Sequence, residues 1–539
     1  MNALYYGENL QILRESIASE SVDLIYLDPP FNSNANYNVL FKSPAGERSH
    51  AQITAFEDTW HWTEEAEQAF DEVMQSGNTA AAELLRALRA FLQENDMMAY
   101  LTMMAVRLLE LHRVLKSTGS LYLHCDPTAS HYLKLLLDGI FGPVCFQNEI
   151  TWKRSSAHND AKQGRKAYGN IADVLLYYSK TSDCTFNTQY TPYSAEYVAS
   201  TYGNADPDGR KWKSSDLTGP GGAAKGNPFY EFLGVERYWR FSRENLRQLQ
   251  MEGRIYQSYP GAVPRMKHYL DEMPGIPLQN IWSDVPAISA QARERLGYPT
   301  QKPVALLERI IAASSNEGDL ILDPFCGCGT SIHAAQKLNR RWIGIDVTNL
   351  AISLIEKRVG EAFPGVRFEV HGTPKDLEGA RALAAKDKYQ FQWWAVSLVK
   401  AVPFGGRKKG ADSGIDGLIY FKPDGKSTER AIVSVKGGDH VSVAMIRDLA
   451  HVVQREKAAM GVMVTLAEAT KPMRTEAIKE GYCDTPFGRV PRLQILTVSE
   501  LLAGRKPDIP GVDPAAFRVS PKEPQRERQR TLPFKRSVA

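Results

Sequence analysis

Only six cysteines occur in 539 residues, at Cys125, Cys145, Cys184, Cys326, Cys328 and Cys483, and none belongs to a Cys-x-x-Cys pair or a Cys/His ligand set. Neither a disulfide framework nor a structural zinc is supported, and a reducing cytoplasm is the expected setting. No stretch approaches 18 uninterrupted apolar residues, and Met1 to Leu10 lacks a basic segment followed by an apolar one. Neither a membrane span nor an export leader is therefore expected. There is no charge excess either, with 65 Lys and Arg against 62 Asp and Glu. A polycation that coats nucleic acid indiscriminately is excluded, so any nucleic-acid surface must be local. No internal repeat is evident, and this length predicts two or three domains.

What is present begins as β-α-β texture. Apolar strands are predicted at Ala3–Tyr6 and Val22–Leu27, around a helix with Leu10, Leu13 and Ile17 at helical spacing. A polar excursion then runs from Asn32 to about Asp96. Next come a helix over Met97–Leu115, a strand over Ser120–His124 and a helix ending at Gly139. From about Trp152 to Trp282, Gly, Pro, Asn and Ser alternate with Tyr, Trp, Arg and Lys without sustained periodicity, as in an inserted, loop-rich domain. The β-α-β rhythm resumes at Thr300 and continues through Ile345. The expected fold is α/β: a doubly wound sheet interrupted by an insertion, followed by a smaller α/β unit. The expected divisions are 1–151 with an insertion over 32–96, 152–285, 286–378, 386–505, and a basic, disordered tail over 506–539.

Two strings carry chemistry. Asp323-Pro324-Phe325-Cys326-Gly327-Cys328-Gly329-Thr330 stands where an apolar strand gives way to a helix. Gly327 and Gly329 let the turn bring its backbone close to a ligand. Asp346, 19 residues after Gly327 and at the end of the next strand, is placed to accept the hydroxyl hydrogens of a ribose. The third glycine of a dinucleotide fingerprint is missing, since Ile332 occupies that position, so a nucleoside without a pyrophosphate fits better. The second string, Asp28-Pro29-Pro30-Phe31, follows the strand Val22–Leu27 directly. Successive prolines have no amide hydrogen and leave their carbonyls to accept hydrogen bonds. The Asp28 carboxylate and the Pro29 carbonyl can take the two hydrogens of an exocyclic amine and aim its lone pair at a methyl donor, with Phe31 stacked on the base. A base inside a duplex cannot be reached in this way and must be flipped out.

Together these strings resemble the amino-methyltransferases of DNA, in the class whose catalytic motif precedes the cofactor motif, over roughly residues 1–375. The resemblance implies S-adenosylmethionine (SAM) as cofactor and double-stranded DNA as partner, allows a homodimer, and gives no reason to expect a membrane. It assigns Asp28, Pro29, Pro30 and Phe31 to catalysis. It assigns Asp323, Phe325, Gly327, Gly329, Thr330 and Asp346 to the cofactor, and Glu8, after Gly7, to adenosine contact, although the usual acid there is Asp. Thr300-Gln301-Lys302-Pro303 resembles the segment closing over the methionine moiety, with Lys302 and Pro303 opening the flanking helix. Asp at the head of the catalytic motif leans towards adenine N6. Cytosine N4, an RNA or protein amine, and a non-catalytic DNA-binding regulator are the alternatives.

Within 152–285, Lys153-Arg154, Arg165-Lys166, Arg210-Lys211-Trp212-Lys213, Arg237-Tyr238-Trp239-Arg240 and Arg265-Met266-Lys267-His268 mix cations with aromatics. Phosphate contacts and base-edge readers need such a mixture, and the position matches the family's target-recognition domain. Phe56, Trp60 and Trp62 are read as core. The tail, with Arg526, Arg528, Arg530, Lys535 and Arg536, is read as a solvated segment. Residues 386–500 resemble the Mrr-like branch of the PD-(D/E)xK nucleases, through Gly410 to Gly417 before one strand and Ser434-Val435-Lys436 at the end of the next. That resemblance implies a nuclease site of Asp416, Ser434 and Lys436 with Mg²⁺ on Asp416. The sequence departs from it at Ser434, where an acid or glutamine is usual, and at Gln392, where a glutamate is frequent. These departures favour a non-cutting DNA-binding or regulatory module over a cleaving one in a restriction-modification enzyme.

Overall fold

A computed structural model describes the chain except residues 31–35, 43–47, 58–60, 157–165, 167, 290, 297, 299, 405–413, 423, 425–426, 486–487, 511–522 and 524–539. For the paired strands Asn36–Lys42 and Arg48–Glu57 it fixes the backbone. Phe31, Trp60, Arg165, Gly410 to Ser413 and the tail arginines lie outside the described residues, as does the side chain of Phe56.

The main sheet has nine strands. In chain order they are β1 (Ala3–Tyr6), β2 (Val22–Leu27), β3 (Leu115–Cys125), β4 (Phe146–Lys153), β5 (Ala172–Ser179), β6 (Ile281–Trp282), β7 (Leu320–Asp323), β8 (Arg341–Asp346) and β9 (Glu369–His371). Their spatial order is β6-β4-β5-β3-β2-β7-β8-β1-β9. All neighbours are parallel except β5, which runs antiparallel to both β3 and β4. Strand β2 has five buried residues of six, the near-continuous apolar run of a parallel strand covered on both faces. Helices α1 (Asn9–Ser16), α2 (Glu64–Gln75), α3 (Thr79–Leu92), α4 (Asp96–Val114) and α5 (Ser130–Phe141) lie in the first half. Each of α1, α3 and α4 starts at a residue whose side chain accepts a first-turn amide: Glu8, Asn78 and Asn95. The second half supplies α6 (Val304–Ser314), α7 (Thr330–Lys337) and α8 (Asn349–Ala362).

Two expectations are corrected. Residues 61–96 are not a polar excursion, because α2 and α3 bury Phe70, Val73, Leu85 and Leu88 in the same core as Val22 and Ile25 of β2. Their outward faces are rich in Glu and Arg, which dilutes an amphipathic stripe in the sequence. Trp62 packs against this core under the Arg89 guanidinium, 4.7 Å away, as its core reading required. The second correction concerns 152–285. Strands β5 and β6 and the end of β4 belong to the main sheet, and the separate compact unit is Thr188–Gln279. Six residues of β5, Val174 to Ser179, form the apolar run that pairs with β3 and escapes notice among polar neighbours.

Taken by itself, the Thr188–Gln279 unit pairs strand Lys211–Asp216 with Arg265–Tyr269 around a small core of Leu217, Tyr230, Phe232, Trp239 and Leu246. Trp212 and Trp239 are buried, so these two aromatics serve the unit's interior, whereas Lys211, Arg237, Tyr238, Arg240 and Arg265 are exposed.

The last region contributes α9 (Leu377–Lys386), α10 (Lys388–Leu398), β10 (Val402–Pro403), β11 (Gly417–Phe421), β12 (Glu429–Lys436), α11 (Val443–Arg455), β13 (Met460–Thr465) and β14 (Leu493–Thr497). A five-stranded sheet has the order β10-β11-β12-β13-β14, parallel from β12 onward and antiparallel before it. This region and the nine-stranded sheet form one compact unit rather than two. Among the described residues no helix is long and apolar enough to cross a membrane.

Candidate active site

Register alone gathers the candidate residues. Ile321 and Leu322 of β7 pair with Leu24 and Ile25 of β2, Asp323 pairs with Gly344 of β8, and Asp346 of β8 pairs with Tyr6 of β1. The carboxyl ends of β2, β7, β8 and β1 therefore emerge side by side, carrying Asp28, Asp323, Asp346 and Gly7. Successive strands lie about 4.8 Å apart, so Asp28 and Asp346 stand roughly 10 Å apart across the sheet edge. The connections from β2 and from β7 run to opposite sides, which makes this edge the switch point where doubly wound sheets bind ligands. A cleft of about 1400 Å³ opens there, lined by Gly7, Glu8, Asp28, Pro29, Pro30, Lys302, Asp323, Phe325, Gly327, Thr330 and Asp346. That exceeds the roughly 300–1,000 Å³ of a single small-molecule site. It leaves room for a second ligand beside the first.

At the cofactor end, Gly327 and Gly329 hold φ of 49° and 72°. A Cβ on Gly329 would sit 2.7 Å from Ile355 Cγ1, so both the conformation and the space demand glycine. The Gly327 amide donates to Asp346 Oδ2 at 3.0 Å, while the Thr348 amide and hydroxyl donate to Oδ1 at 2.8 and 2.7 Å. Three of about four acceptor positions on Asp346 are thereby filled. One further hydrogen can be taken, not the two the sequence reading assigned it. Burial pushes the Asp346 carboxyl up to about 6, against the hydrogen bonds from Thr348 and Gly327. Asp323 is fully enclosed and accepts the Phe325 amide at 3.0 Å and the Ser331 hydroxyl. Burial, with Asp28 and Asp346 adding, pushes it up to about 7. Its work is to staple the glycine turn to α7.

Sequence reasoning missed two buried arginines that brace this end. Arg358 of α8 donates to the Cys328 carbonyl at 3.0 Å and to the Thr330 hydroxyl at 3.2 Å. Arg107 of α4 donates to Glu8 Oε1 at 2.6 Å and to Asn9 Oδ1 at 2.8 Å, and Asn9 in turn donates to the Pro324 carbonyl. Glu8 thus lines the cleft with its charge already paired. Both arginines sit in helices that are largely buried, and an arginine between apolar residues does not by itself reveal the partner it braces.

At the other end, Lys302 Nζ donates to Asp28 Oδ2 at 2.5 Å, an ion pair in which both side chains are largely buried. Lys302 reaches it from a latched segment: Gln301 accepts the Leu296 amide and donates to the Glu294 carbonyl, and Glu294 accepts the Val304 amide at 3.0 Å. Pro303 stands at the N-cap of α6. Lys302 therefore faces the catalytic-motif aspartate, a pairing that no local spacing could reveal. Behind Asp28 lies a further network. The Tyr26 hydroxyl meets His124 Nδ1 at 2.9 Å, His124 Nε2 meets Asp173 at 3.2 Å, and Arg154 pairs with Asp173 at 2.8 Å. Burial, then the carboxylates of Asp28 and Asp323, hold the Tyr26 hydroxyl well above its ordinary value, so it stays protonated.

The positions expected to form a nuclease site are arranged otherwise. Asp416 is buried, accepting Gln392 Nε2 at 2.7 Å on one oxygen and the Val435 amide at 2.5 Å on the other. Ser434 is buried beside it in β12, and Lys436 ends that strand. A hard divalent cation needs several oxygen ligands with at least one anionic donor turned towards it. Among the described residues Asp416 is the one carboxylate of this set, and its neighbours, a neutral amide and a hydroxyl, bring no second anionic donor, so the set does not fit Mg²⁺. Among the described residues no group of three His, Cys, Asp or Glu side chains is placed to hold a metal.

A doubly wound sheet with a glycine turn and acids at the ends of β2, β7 and β8 defines the class of α/β proteins that bind ligands at the switch point of the sheet. By a family match over residues 22–357, described as DNA methylase of the N6/N4 type, the chain belongs to the DNA amino-methyltransferases. A second match, over residues 400–502, is to a NACHT-associated inactive restriction endonuclease domain. The chain is 30% identical over 365 residues to the type II methyltransferase M.EcaI of Enterobacter cloacae, covering 66% of this chain and 69% of that one. It is 23% identical over 360 residues to the DNA adenine methyltransferase YhdJ of Escherichia coli K12, covering 67% and 83%. Against the StyLTI Mod subunit of Salmonella typhimurium it is 26% identical over 355 residues, covering 63% of this chain and half of that one. Solved structures it resembles include the M1.HpyAVI–SAM complex, at 14% identity and a TM-score of 0.30, covering 67% and 99%. The PvuII cytosine-N4-specific DNA methyltransferase is another, at 12% identity and a TM-score of 0.32, covering 66% and 86%. The protein is a SAM-dependent DNA methyltransferase of the N6/N4 type with a C-terminal domain like inactive restriction endonucleases.

Proposed function

We propose that the chain methylates the exocyclic N6 of a flipped-out adenine in double-stranded DNA. The observation that carries this reading is the single cleft shared by the Asp28-Pro29-Pro30 strand end and the Gly327–Asp346 cradle. SAM, when bound, supplies an electrophilic methyl group. The Gly327–Gly329 turn gives the cofactor a close backbone approach, and Asp346 accepts a ribose hydroxyl. Asp28 accepts one hydrogen of the base amine and the Pro29 carbonyl the other, holding the nitrogen in line for transfer. Lys302 fixes the orientation of the Asp28 carboxylate. The contribution is positioning, with no covalent intermediate on the enzyme. Adenine is favoured by the aspartate that heads the motif and by the similarity to an adenine methyltransferase. Readout of sequence falls to the exposed Lys211, Arg237, Arg240 and Arg265 of the Thr188–Gln279 unit. The C-terminal domain, read as Mrr-like PD-(D/E)xK from Asp416 and Lys436 and supported by its similarity to an inactive restriction endonuclease domain, acts as a non-cutting module of a cytoplasmic restriction-modification type system.

The test is transfer of label from SAM to duplex DNA, followed by digestion to nucleosides. Labelled N6-methyladenine is the expected product. Labelled N4-methylcytosine would move the assignment to cytosine, and intact SAM binding without transfer to any DNA would leave a non-catalytic reader.

A further inference from the structure

The two family matches end at residue 357 and begin again at residue 400, so neither includes α9 or α10. These helices nevertheless form one wall of the cleft, through Leu383 of α9, Asp387, and Gln390 and Trp393 of α10. Helix α10 faces two ways. Phe391, Trp394, Ala395 and Val396 are buried with Ile419, Phe421 and Val433 of the C-terminal sheet. Gln390 and Trp393, three residues apart and so on one face, point away from that core. Trp393 packs with Tyr298, Cys328 and Leu350, where Cys328 is the residue between the two glycines of the cofactor turn. Gln390 Oε1 accepts the Asn349 amide at 3.2 Å. Asn349 opens α8 directly after Thr348, whose amide and hydroxyl hold Asp346. One helix therefore touches both halves of the nucleoside cradle. It does so at residues that follow β8, Asn349 and Leu350, and at Cys328.

We propose that α10 is part of the cofactor site. Gln390 and Trp393 close the end of the cleft that takes the purine nucleoside of SAM, and they hold Asp346 and the glycine turn in binding geometry. The C-terminal domain, which anchors α10, is then a working element of cofactor capture rather than an appended module. This rests on the SAM reading above.

In the full-length protein, Gln390→Ala and Trp393→Ala should each weaken SAM and S-adenosylhomocysteine binding by about tenfold in calorimetry, the order of one lost hydrogen bond or aromatic contact. The loss should appear in the KM for SAM more than in kcat at saturating SAM. Trp393→Phe keeps the packing and should fold even if the alanine variant does not. It should lose the part of the cofactor-induced tryptophan fluorescence change that Trp393 contributes, a signal that a purely structural residue would not carry. Unchanged affinity in Gln390→Ala together with an unchanged fluorescence response in Trp393→Phe would overturn the proposal. A wild-type protein that binds no SAM would instead refute the underlying functional reading, so the two failures are distinguishable.

Discussion

Asp346 and Asp416 make an instructive pair. Each is a buried or largely buried carboxylate next to a strand end, and each accepts a backbone amide, from Gly327 in one case and Val435 in the other. Around Asp346 the backbone carries glycines in the left-handed region and opens on a cleft of about 1400 Å³. Around Asp416 the second oxygen is held by the Gln392 side chain, and Ser434 brings no charge. An acid at a strand end becomes a binding group where the neighbouring backbone opens a cleft beside it. The methyltransferase half meets this condition, since Asp346 lines the cleft and Asp416 does not. The nuclease-like half has turned the same kind of residue into internal bracing.

The contrast breaks most visibly at Asp28. Asp28→Ala should lower transfer by on the order of 10²–10⁴-fold, the range for a group positioned on a reacting nitrogen, with SAM binding largely kept. Retained transfer in a filter assay would remove Asp28 from its role. The next largest effect concerns Asp346. Asp346→Asn should weaken SAM by roughly 10- to 100-fold, as expected for hydrogen bonds to a charged acceptor. In the wild type, affinity should also fall as the pH drops below about 6, where the buried carboxyl takes up a proton. The stability of the ligand-free protein runs the other way. A folded value raised above the unfolded one contributes stability in acid that is lost as the pH rises through about 6. A pH-independent Kd between 5 and 8 would contradict this picture. The smallest effect belongs to Asp416. Asp416→Asn should cost about 1–3 kcal/mol of stability, through a weakened acceptor for Gln392 and Val435, and leave methyl transfer unaltered. Wild-type protein with Mg²⁺ should leave supercoiled plasmid intact, and nicking abolished by Asp416→Asn would restore the nuclease reading.

Much of the site was legible because its chemistry is local. Asp28-Pro29-Pro30 and the Gly327–Gly329 turn each follow a strand that announces itself by a near-continuous apolar run, and Asp346 follows at the spacing of one helix and one strand. Illegible were the partners that arrive from far along the chain. Lys302 meets Asp28 across 274 residues, and Arg107 meets Glu8 across 99. Helices α2 and α3 and strand β5 went unread because they are short apolar or amphipathic segments set between polar stretches. Nothing local marks Gln390 and Trp393 for the cleft, because α10 is shared between two cores.

By itself the amino-acid order determined the fold class, the two motifs and the departures at Ser434 and Gln392, because strand and turn propensities and side-chain chemistry act over a few residues. The tertiary structure alone decided which charges are paired, how many acceptor positions Asp346 retains, and that α10 closes the cofactor cleft. Those outcomes depend on burial and register between segments hundreds of residues apart, and no local pattern encodes the distance between them.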